Sequence, residues 1–237
     1  MYIVTNFYNG PSLKQFIDKN FSETQLKFIS ACIILSFKYI RERKIIHRDL
    51  TITNLILDDD YYFNLIDFSF SIDYSKRNLK FFRCNYEKIL ESPEIINSID
   101  YTYNADYYRL GCLIFFLIFK VYPTTINNYL SLIIEYKDNK KYSSNLFNFL
   151  EKLIVKNHRK RLGYKSINEL FNHPWFQGFD WKKFEEKKII SPFTYIKPKI
   201  QEVNCKEFRK DKNMIINFTK LMSMEEYIKL SEKFQYS

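Results

Sequence analysis

The most informative part of this chain is the stretch HRDLTITN, from His47 to Asn54. It leads into two short apolar runs, Asn54 to Leu57 and Tyr62 to Ile66, which have the composition of strands. Three consecutive aspartates separate the two runs, as is typical of a turn. The sequence therefore predicts a β-hairpin, which would place the next acidic residue, Asp67, opposite Asp49.

The order of these residues resembles a protein kinase, in which H-R-D-L-x-x-x-N is the catalytic loop and D-F-G binds metal. In that family the loop aspartate orients the substrate hydroxyl, while the asparagine and the second aspartate hold the Mg²⁺ ions on the nucleotide phosphates. The resemblance implies that Asp49 and Asn54 are catalytic and that Asn54 and Asp67 bind Mg²⁺. It also implies that ATP is a cofactor, with Leu13 and Ile56 packed beneath the adenine.

Two further segments match the same family in the same order. Ser92-Pro93-Glu94 resembles the A-P-E that ends the activation segment, and Arg161 matches the arginine that pairs with its glutamate. Asp106, within NADYYRLGCLIF, matches the aspartate that holds the catalytic-loop backbone. The alternative for Asp106 is an acid that the helix dipole favours at a helix start. The resemblance implies a buried ion pair between Glu94 and Arg161 that serves folding and not chemistry.

Most of the remaining sequence predicts helices. Ser22 to Gln25 forms a capping-box pattern, and apolar residues then recur at helical spacing, which predicts a long helix ending near Arg43. Residues Asn104 to Phe119 have little polar surface, as expected of a helix buried on all sides. The expected fold class is mainly α (α+β): a protein-kinase-like C-lobe with a short β-hairpin at the catalytic loop.

The resemblance divides the chain into three parts. Residues 1–11 resemble the hinge between the two kinase lobes, residues 12–176 the C-lobe, and residues 177–237 the C-terminal tail of the AGC group. The cyclic-nucleotide-dependent protein kinases are the nearest relatives that it suggests. The four glycines cannot form a G-x-G-x-x-G loop, and a V-A-I-K strand is missing. We therefore expect the N-lobe to be absent, either truly or through a lost exon.

Departures from the kinase pattern bear on activity. Thr51 stands where Ser/Thr kinases place a lysine that neutralises the transferring phosphoryl group, and Ser69 replaces the D-F-G glycine. The segment KFFRCNYEKILESPE lacks the family's phosphorylatable threonine. Losing one preorganised electrostatic contact lowers the rate roughly 10²–10³-fold. Independent loss of both the catalytic-loop lysine and the strand lysine would therefore leave roughly 10⁻⁴–10⁻⁶ of the normal rate.

Two functions from different classes remain open. The first is a protein Ser/Thr kinase homologue, which transfers a phosphoryl group from ATP to protein hydroxyls and is weakly active or inactive as this chain alone. The second is a pseudokinase-like binding or scaffold module, which uses its helical face for a protein partner. The charge argument favours the second for the chain as given.

The net charge of +10 is compatible with an acidic partner, a membrane surface or nucleic acid. However, Lys and Arg are scattered without a recognition motif, which favours a solvated surface. The basic region from Lys182 to Lys220 has only its charge to suggest nucleic-acid binding. We therefore expect a protein substrate or protein partner and no nucleic acid, and the oligomeric state stays open.

The cysteines and the apolar runs bear on the compartment. Cys32, Cys84, Cys112 and Cys205 have no C-x-x-C spacing, which argues against a zinc site or a disulfide framework. The most apolar run, Cys112 to Phe119, is far shorter than the roughly 20 residues that span a bilayer. We expect a cytoplasmic protein without a membrane span.

Overall fold

The computed structural model describes residues 8–75, 91–96, 102–125, 129–138 and 141–194. Helices dominate these residues, and the strands form small two-stranded sheets. The expectation of a mainly helical fold with a short hairpin is therefore confirmed for the described residues. Residues 1–7 of the predicted hinge and residues 195–237 of the predicted tail lie outside the described residues.

The first long helix, α1, runs from Glu23 to Glu42 and ends one residue before the predicted Arg43. The predicted capping box is present at its start. The backbone N–H of Gln25 donates to Ser22 Oγ at 3.2 Å, and the Ser22 N–H donates to Gln25 Oε1 at 3.0 Å. Because these bonds satisfy N–H groups that have no partner within the helix, they determine where α1 begins.

The strands form two antiparallel pairs. β1 (Ile45–Ile46) pairs with β4 (Ile72–Asp73), and β2 (Leu55–Leu57) pairs with β3 (Phe63–Leu65). The second pair is the predicted hairpin, slightly shorter than the apolar runs. The Asp58 carboxylate closes its turn by accepting the backbone N–H of Tyr62 at 2.8 Å. The two pairs hold the ends of the loop that carries His47 to Asn54.

The remaining helices follow the strands in the chain. They are α2 (Pro93–Ile96), α3 (Asn104–Phe119), α4 (Tyr129–Asp138), α5 (Ser144–Leu153), α6 (Asn168–Phe171) and α7 (Trp181–Glu185). α3 packs against both α1 and α5, and every residue of it except Phe116 and Phe119 is buried. The prediction of a central helix with no solvent-facing side is confirmed. This helix supports the loop that carries His47 to Asn54.

The segment after α7 packs against the hairpin. Phe193 is fully buried among the rings of Phe16, Phe28 and Phe63. The Tyr62 hydroxyl donates to the Ile189 carbonyl at 2.6 Å. The start of the predicted tail therefore belongs to the same core as the hairpin, and it helps to fix the strand that leads to Asp67.

A buried ion pair ties α2 to the other side of the lobe. Arg161 and Glu94 are 1% and 2% exposed, and Arg161 Nη2 lies 2.9 Å from Glu94 Oε2. Arg161 also donates to the carbonyls of Asn104 and Val155, at 2.8 and 3.0 Å. The predicted pairing of Glu94 with Arg161 is confirmed. Since the charges are fully enclosed, the pair holds the residues before α3 in place.

Two of the cysteines fall within the described residues. Cys32 and Cys112 are free and buried, and burial raises the pKa of each thiol to about 12. Both therefore stay protonated and unreactive at neutral pH. Cys84 and Cys205 lie outside the described residues. No helix among the described residues has both the length and the apolar character needed to cross a membrane.

Candidate active site

The loop from His47 to Asn54, the predicted catalytic loop, rests on the first turn of α3. Both oxygens of the buried Asp106 carboxylate accept backbone hydrogen bonds, from His47 N and from Arg48 N, at 2.8 Å each. Burial raises the pKa of Asp106 to about 6, against the opposing effect of these two hydrogen bonds and of the Arg109 charge. The scaffold role predicted for Asp106 is confirmed, since a mere helix-start acid would not hold a distant loop.

His47 is a buried packing and hydrogen-bonding residue. Its Nδ1 accepts the backbone N–H of Asp49 at 3.2 Å, and its Nε2 lies 3.2 Å from the Ile66 carbonyl. Its ring packs edge-on against Phe68, with the ring centroids 4.8 Å apart. Burial lowers the pKa of His47 to about 4, so the ring is neutral at pH 7. His47 thus joins the catalytic loop to the segment containing Asp67.

Asp49 and Asn54 are in direct contact. The Asn54 amide, 8% exposed, donates from Nδ2 to Asp49 Oδ2 at 2.8 Å and to the Asp49 carbonyl at 3.0 Å. The two predicted catalytic residues are therefore brought together. With its nitrogen engaged, the Asn54 side chain has its oxygen as the remaining donor atom for a cation, and this oxygen accepts a long 3.5 Å hydrogen bond from the Thr53 hydroxyl.

Asp67 follows β3 and is exposed. Its backbone has φ 63°, in the left-handed region, and its carboxylate accepts hydrogen bonds from the backbone and hydroxyl of Ser69. Ser69 itself stays outside the left-handed region, so the serine fits here without the freedom of a glycine. Burial is the main cause that raises the pKa of the Asp49 carboxyl, and the negative charge of Asp67 adds a smaller increase.

Asp49 also lies near a buried cation that the sequence analysis did not identify. Arg109 Nη1 lies 3.8 Å from Asp49 Oδ1, and Arg109 Nη2 lies 2.7 Å from Glu91 Oε1. Burial raises the pKa of the Asp49 carboxyl, while Arg109 and the Asn54 hydrogen bond lower it. The available signal was the single basic residue in the buried helix α3, because a buried charge requires a partner.

The backbone segments that carry Leu13 and Ile56, the residues predicted to pack beneath adenine, are adjacent in the structure. An isolated antiparallel bridge joins Ser12 to Ile56, immediately beside Leu13. Leu13 is fully buried in the core, whereas Ile56 is half-buried. Contact of either side chain with a nucleotide stays a prediction. Thr51, at the position of the missing lysine, shares a 2.7 Å hydrogen bond with the Thr53 hydroxyl.

The donor set can be compared with the needs of Mg²⁺. Among the described residues, no group of three or more His, Cys, Asp or Glu could hold a metal by itself. Mg²⁺ is usually bound through one or two carboxylates together with substrate phosphates and waters. The Asn54 amide oxygen and the Asp67 carboxylate are oxygen donors of this kind. Two such donors suit an Mg²⁺ ion that is also bound by nucleotide phosphates. They are too few for an ion bound by the protein alone.

Comparison with known proteins places this geometry in a family. The family model of the protein kinase domain matches residues 1–176. A cGMP-dependent protein kinase of Drosophila melanogaster, isozyme 2 forms cD5/T2, is 31% identical over 193 residues, which is 78% of this chain and 20% of the relative. Protein kinase 2 of Dictyostelium discoideum is 28% identical over 208 residues, 85% of this chain and 43% of the relative.

A third relative is serine/threonine-protein kinase N2 of Danio rerio, 29% identical over 190 residues, 73% of this chain and 18% of the relative. The chain thus spans less than half of the length of these relatives. The match to the kinase-domain model covers well over half of the chain, and it contains every residue of the site described above. The chain therefore belongs to the protein kinase family, with distant homology to cGMP-dependent and other AGC-type Ser/Thr kinases.

Proposed function

We propose that this chain carries the substrate-orienting half of a protein Ser/Thr kinase site, and that its activity alone is weak. The reaction is transfer of a phosphoryl group from ATP to a protein hydroxyl. The observation that carries the proposal is the 2.8 Å hydrogen bond between Asn54 Nδ2 and Asp49 Oδ2. It uses Asp49 Oδ2 and the Asn54 nitrogen, which assigns Asp49 Oδ1 to the substrate hydroxyl and Asn54 Oδ1 to a metal ion.

Asp49 is the residue that accepts and orients the substrate hydroxyl. Its carboxylate is half-buried, so a hydrogen bond to it is less weakened by competing water than one at an exposed acid. Asn54 holds the carboxylate from one side and Arg109 faces it from the other. Its rotamer is thereby restricted, which favours a defined position for the hydroxyl.

Asn54 and Asp67 are the proposed metal ligands, and Mg²⁺ held there would neutralise charge on the nucleotide phosphates. The two residues flank the hairpin: Asn54 immediately precedes β2, and Asp67 follows β3 after Ile66. The Asn54 carbonyl also accepts the Ile66 backbone N–H at 2.9 Å, which ties the two ends of the hairpin together. This bond supports a fixed spacing between the two proposed ligands.

A second candidate is a pseudokinase-like binding or scaffold module. It is favoured by Thr51, which cannot supply the positive charge that a lysine gives to the transferring group. In this case Asp49, Asn54 and Asp67 would be retained as structure only, and the helical surface would bind a protein partner. Binding of nucleotide separates the two candidates.

The test is calorimetric titration of the purified chain with ATP at millimolar concentration, with and without Mg²⁺. The proposal expects Mg²⁺-dependent binding that Asp67→Asn abolishes. Asp180→Asn is the matched control, because Asp180 is an exposed N-cap acid and asparagine caps helices equally well. Absence of Mg²⁺-dependent binding by the unaltered chain would reject the proposed kinase site and favour the binding module.

A further inference from the structure

Arg109 is the charged residue in the middle of α3. Its side chain is 3% exposed, yet it lies between two carboxylates from different parts of the chain. Glu91, just before α2, takes the short contact of 2.7 Å, which is a hydrogen-bonded ion pair. Asp49, in the catalytic loop, takes the longer contact of 3.8 Å, which is ionic without a hydrogen bond.

Arg109 and the residues next to it have polar atoms whose hydrogen-bonding capacity is unused. Among the described residues, Arg109 Nε, Glu91 Oε2 and Ser92 Oγ are buried side-chain atoms without a hydrogen-bond partner. Buried polar atoms without partners are uncommon and are retained at a cost in stability. A residue that only filled space in α3 could be an uncharged side chain of similar size. The cost therefore argues for a role of the charge itself.

We propose that Arg109 is a positioning residue for Asp49: held at a set distance by Glu91, its guanidinium keeps the Asp49 carboxylate turned toward the Asn54 amide. The inference rests on the proposed role of Asp49 in the kinase reaction. The planar, forked guanidinium allows one nitrogen to bind Glu91 while the other faces Asp49. A lysine ammonium has no such fork.

The same arrangement links Asp49 to the segment that precedes α3. Glu91 lies three residues before Glu94, and Glu94 is anchored by the buried pair with Arg161. The link therefore runs from Arg161 to Glu94, along the backbone to Glu91, and from Glu91 through Arg109 to Asp49. The position of residues 91–94 therefore affects Asp49 through the Arg109 side chain.

The experiment measures hydrogen exchange of the Asn54 side-chain NH₂ with water by NMR, in ¹⁵N-labelled chain at neutral pH. This group donates to Asp49 Oδ2, so its protection reports the orientation of the carboxylate. Glu91→Gln/Arg109→Met removes both charges together, which avoids stranding a buried carboxylate. Loss of a hydrogen bond to a charged group predicts exchange about tenfold faster in this double variant.

Two single variants complete the design. Glu91→Gln removes the negative charge but keeps an oxygen that can accept from Arg109 Nη2, so the guanidinium stays at Asp49 and Asn54 exchange should stay within about twofold of the unaltered chain. Arg109→Lys keeps a cation that can pair with Glu91, but the lysine cannot face Asp49 at the same time. Asn54 exchange should therefore be faster in this variant, which serves as the test if the double variant does not fold. Thermal unfolding establishes which variants are folded.

Unchanged Asn54 exchange in a folded Arg109 variant would overturn the proposal. Equal acceleration in Glu91→Gln and in the double variant would also overturn it, because the effect would then come from displacement of residues 91–94. The exchange measurement needs neither ATP nor Mg²⁺. A chain that fails to bind nucleotide but shows the expected exchange pattern would lose the proposed kinase function and keep the positioning role of Arg109.

Discussion

The carboxylate of Asp106 and the backbone N–H of Arg48 are joined by a 2.8 Å hydrogen bond, although 58 positions separate them in sequence. Arg48 has φ 70°, a left-handed conformation that costs free energy for a residue other than glycine. The buried helix α3 therefore supplies the interaction that keeps the residue before Asp49 in an unfavourable conformation. The shape of the catalytic loop depends on this bond and on its neighbour to His47.

Asp106→Asn should destabilise the chain. The amide offers one oxygen to two backbone N–H groups, so its NH₂ must face the other N–H and leave it unsatisfied. The expected loss is about 1–3 kcal/mol in the free energy of unfolding. Urea denaturation measures it, with the exposed-site change Asp180→Asn as the control. Equal stability of the two variants would show that the carboxylate does not hold the loop.

The buried ion pair of Arg161 and Glu94 should be strongly non-additive. Arg161→Met strands the Glu94 carboxylate and should cost about 3–5 kcal/mol, whereas Arg161→Met/Glu94→Met should recover much of that loss. A double-mutant cycle on the free energy of unfolding measures the coupling. Additive single effects would mean that the two charges do not depend on each other.

His173 should make stability depend on pH. It is 3% exposed, and burial and the Lys152 charge lower its pKa from 6.5 to about 4. Between about pH 6.5 and pH 4, His173 is protonated in the unfolded chain but not in the folded chain. The free energy of unfolding therefore decreases as the pH falls through this range. The loss contributed by this residue is about 3 kcal/mol at most.

His173→Asn isolates this contribution. His173 Nδ1 accepts the backbone N–H of Trp175 at 3.2 Å, and an asparagine oxygen at this N-cap position accepts a similar bond without titrating. The unfolding free energy of the variant should fall less steeply than that of the unaltered chain over this pH range. Parallel pH profiles for the two proteins would show that the His173 ring is not held neutral.

Thr51→Lys should raise phosphoryl transfer if the proposed kinase function holds. The lysine would restore a positive charge for the transferring group, and one such electrostatic contact typically gives about 10²–10³ in rate. The rate of ATP-dependent phosphorylation of a peptide mixture measures it. Thr194→Lys is the matched control, since it adds the same charge at an exposed threonine outside the loop from His47 to Asn54. No difference between the two lysine variants would count against phosphoryl transfer at this site.

Local patterns predicted the elements that depend on local physics. The Ser22 to Gln25 capping box set the start of α1, because both of its hydrogen bonds are made within one turn. The apolar run in α3 predicted complete burial, and the aspartates between two apolar runs predicted the hairpin turn. Each of these inferences needed only neighbouring residues.

The motif order HRDLTITN then D-F, with S-P-E, Asp106 and Arg161 after it, was enough to identify the family and the pairing of Glu94 with Arg161. Residues far apart in sequence could be paired only because the resemblance supplied their partners. The contact of Arg109 with Asp49 and Glu91 had no such precedent. It depends on how residues 91–96 pack over α3, and no local pattern describes that packing.

For this protein, residue patterns predicted the main helices and the hairpin, and the resemblance of the motifs to protein kinases indicated the family and the candidate site residues. Tertiary packing decided the environment of each one: the neutral His47, the half-buried Asp49 and the buried Arg109 that faces it. The physical reason is that burial and the distance between charges set electrostatic energies, and both are properties of the folded chain.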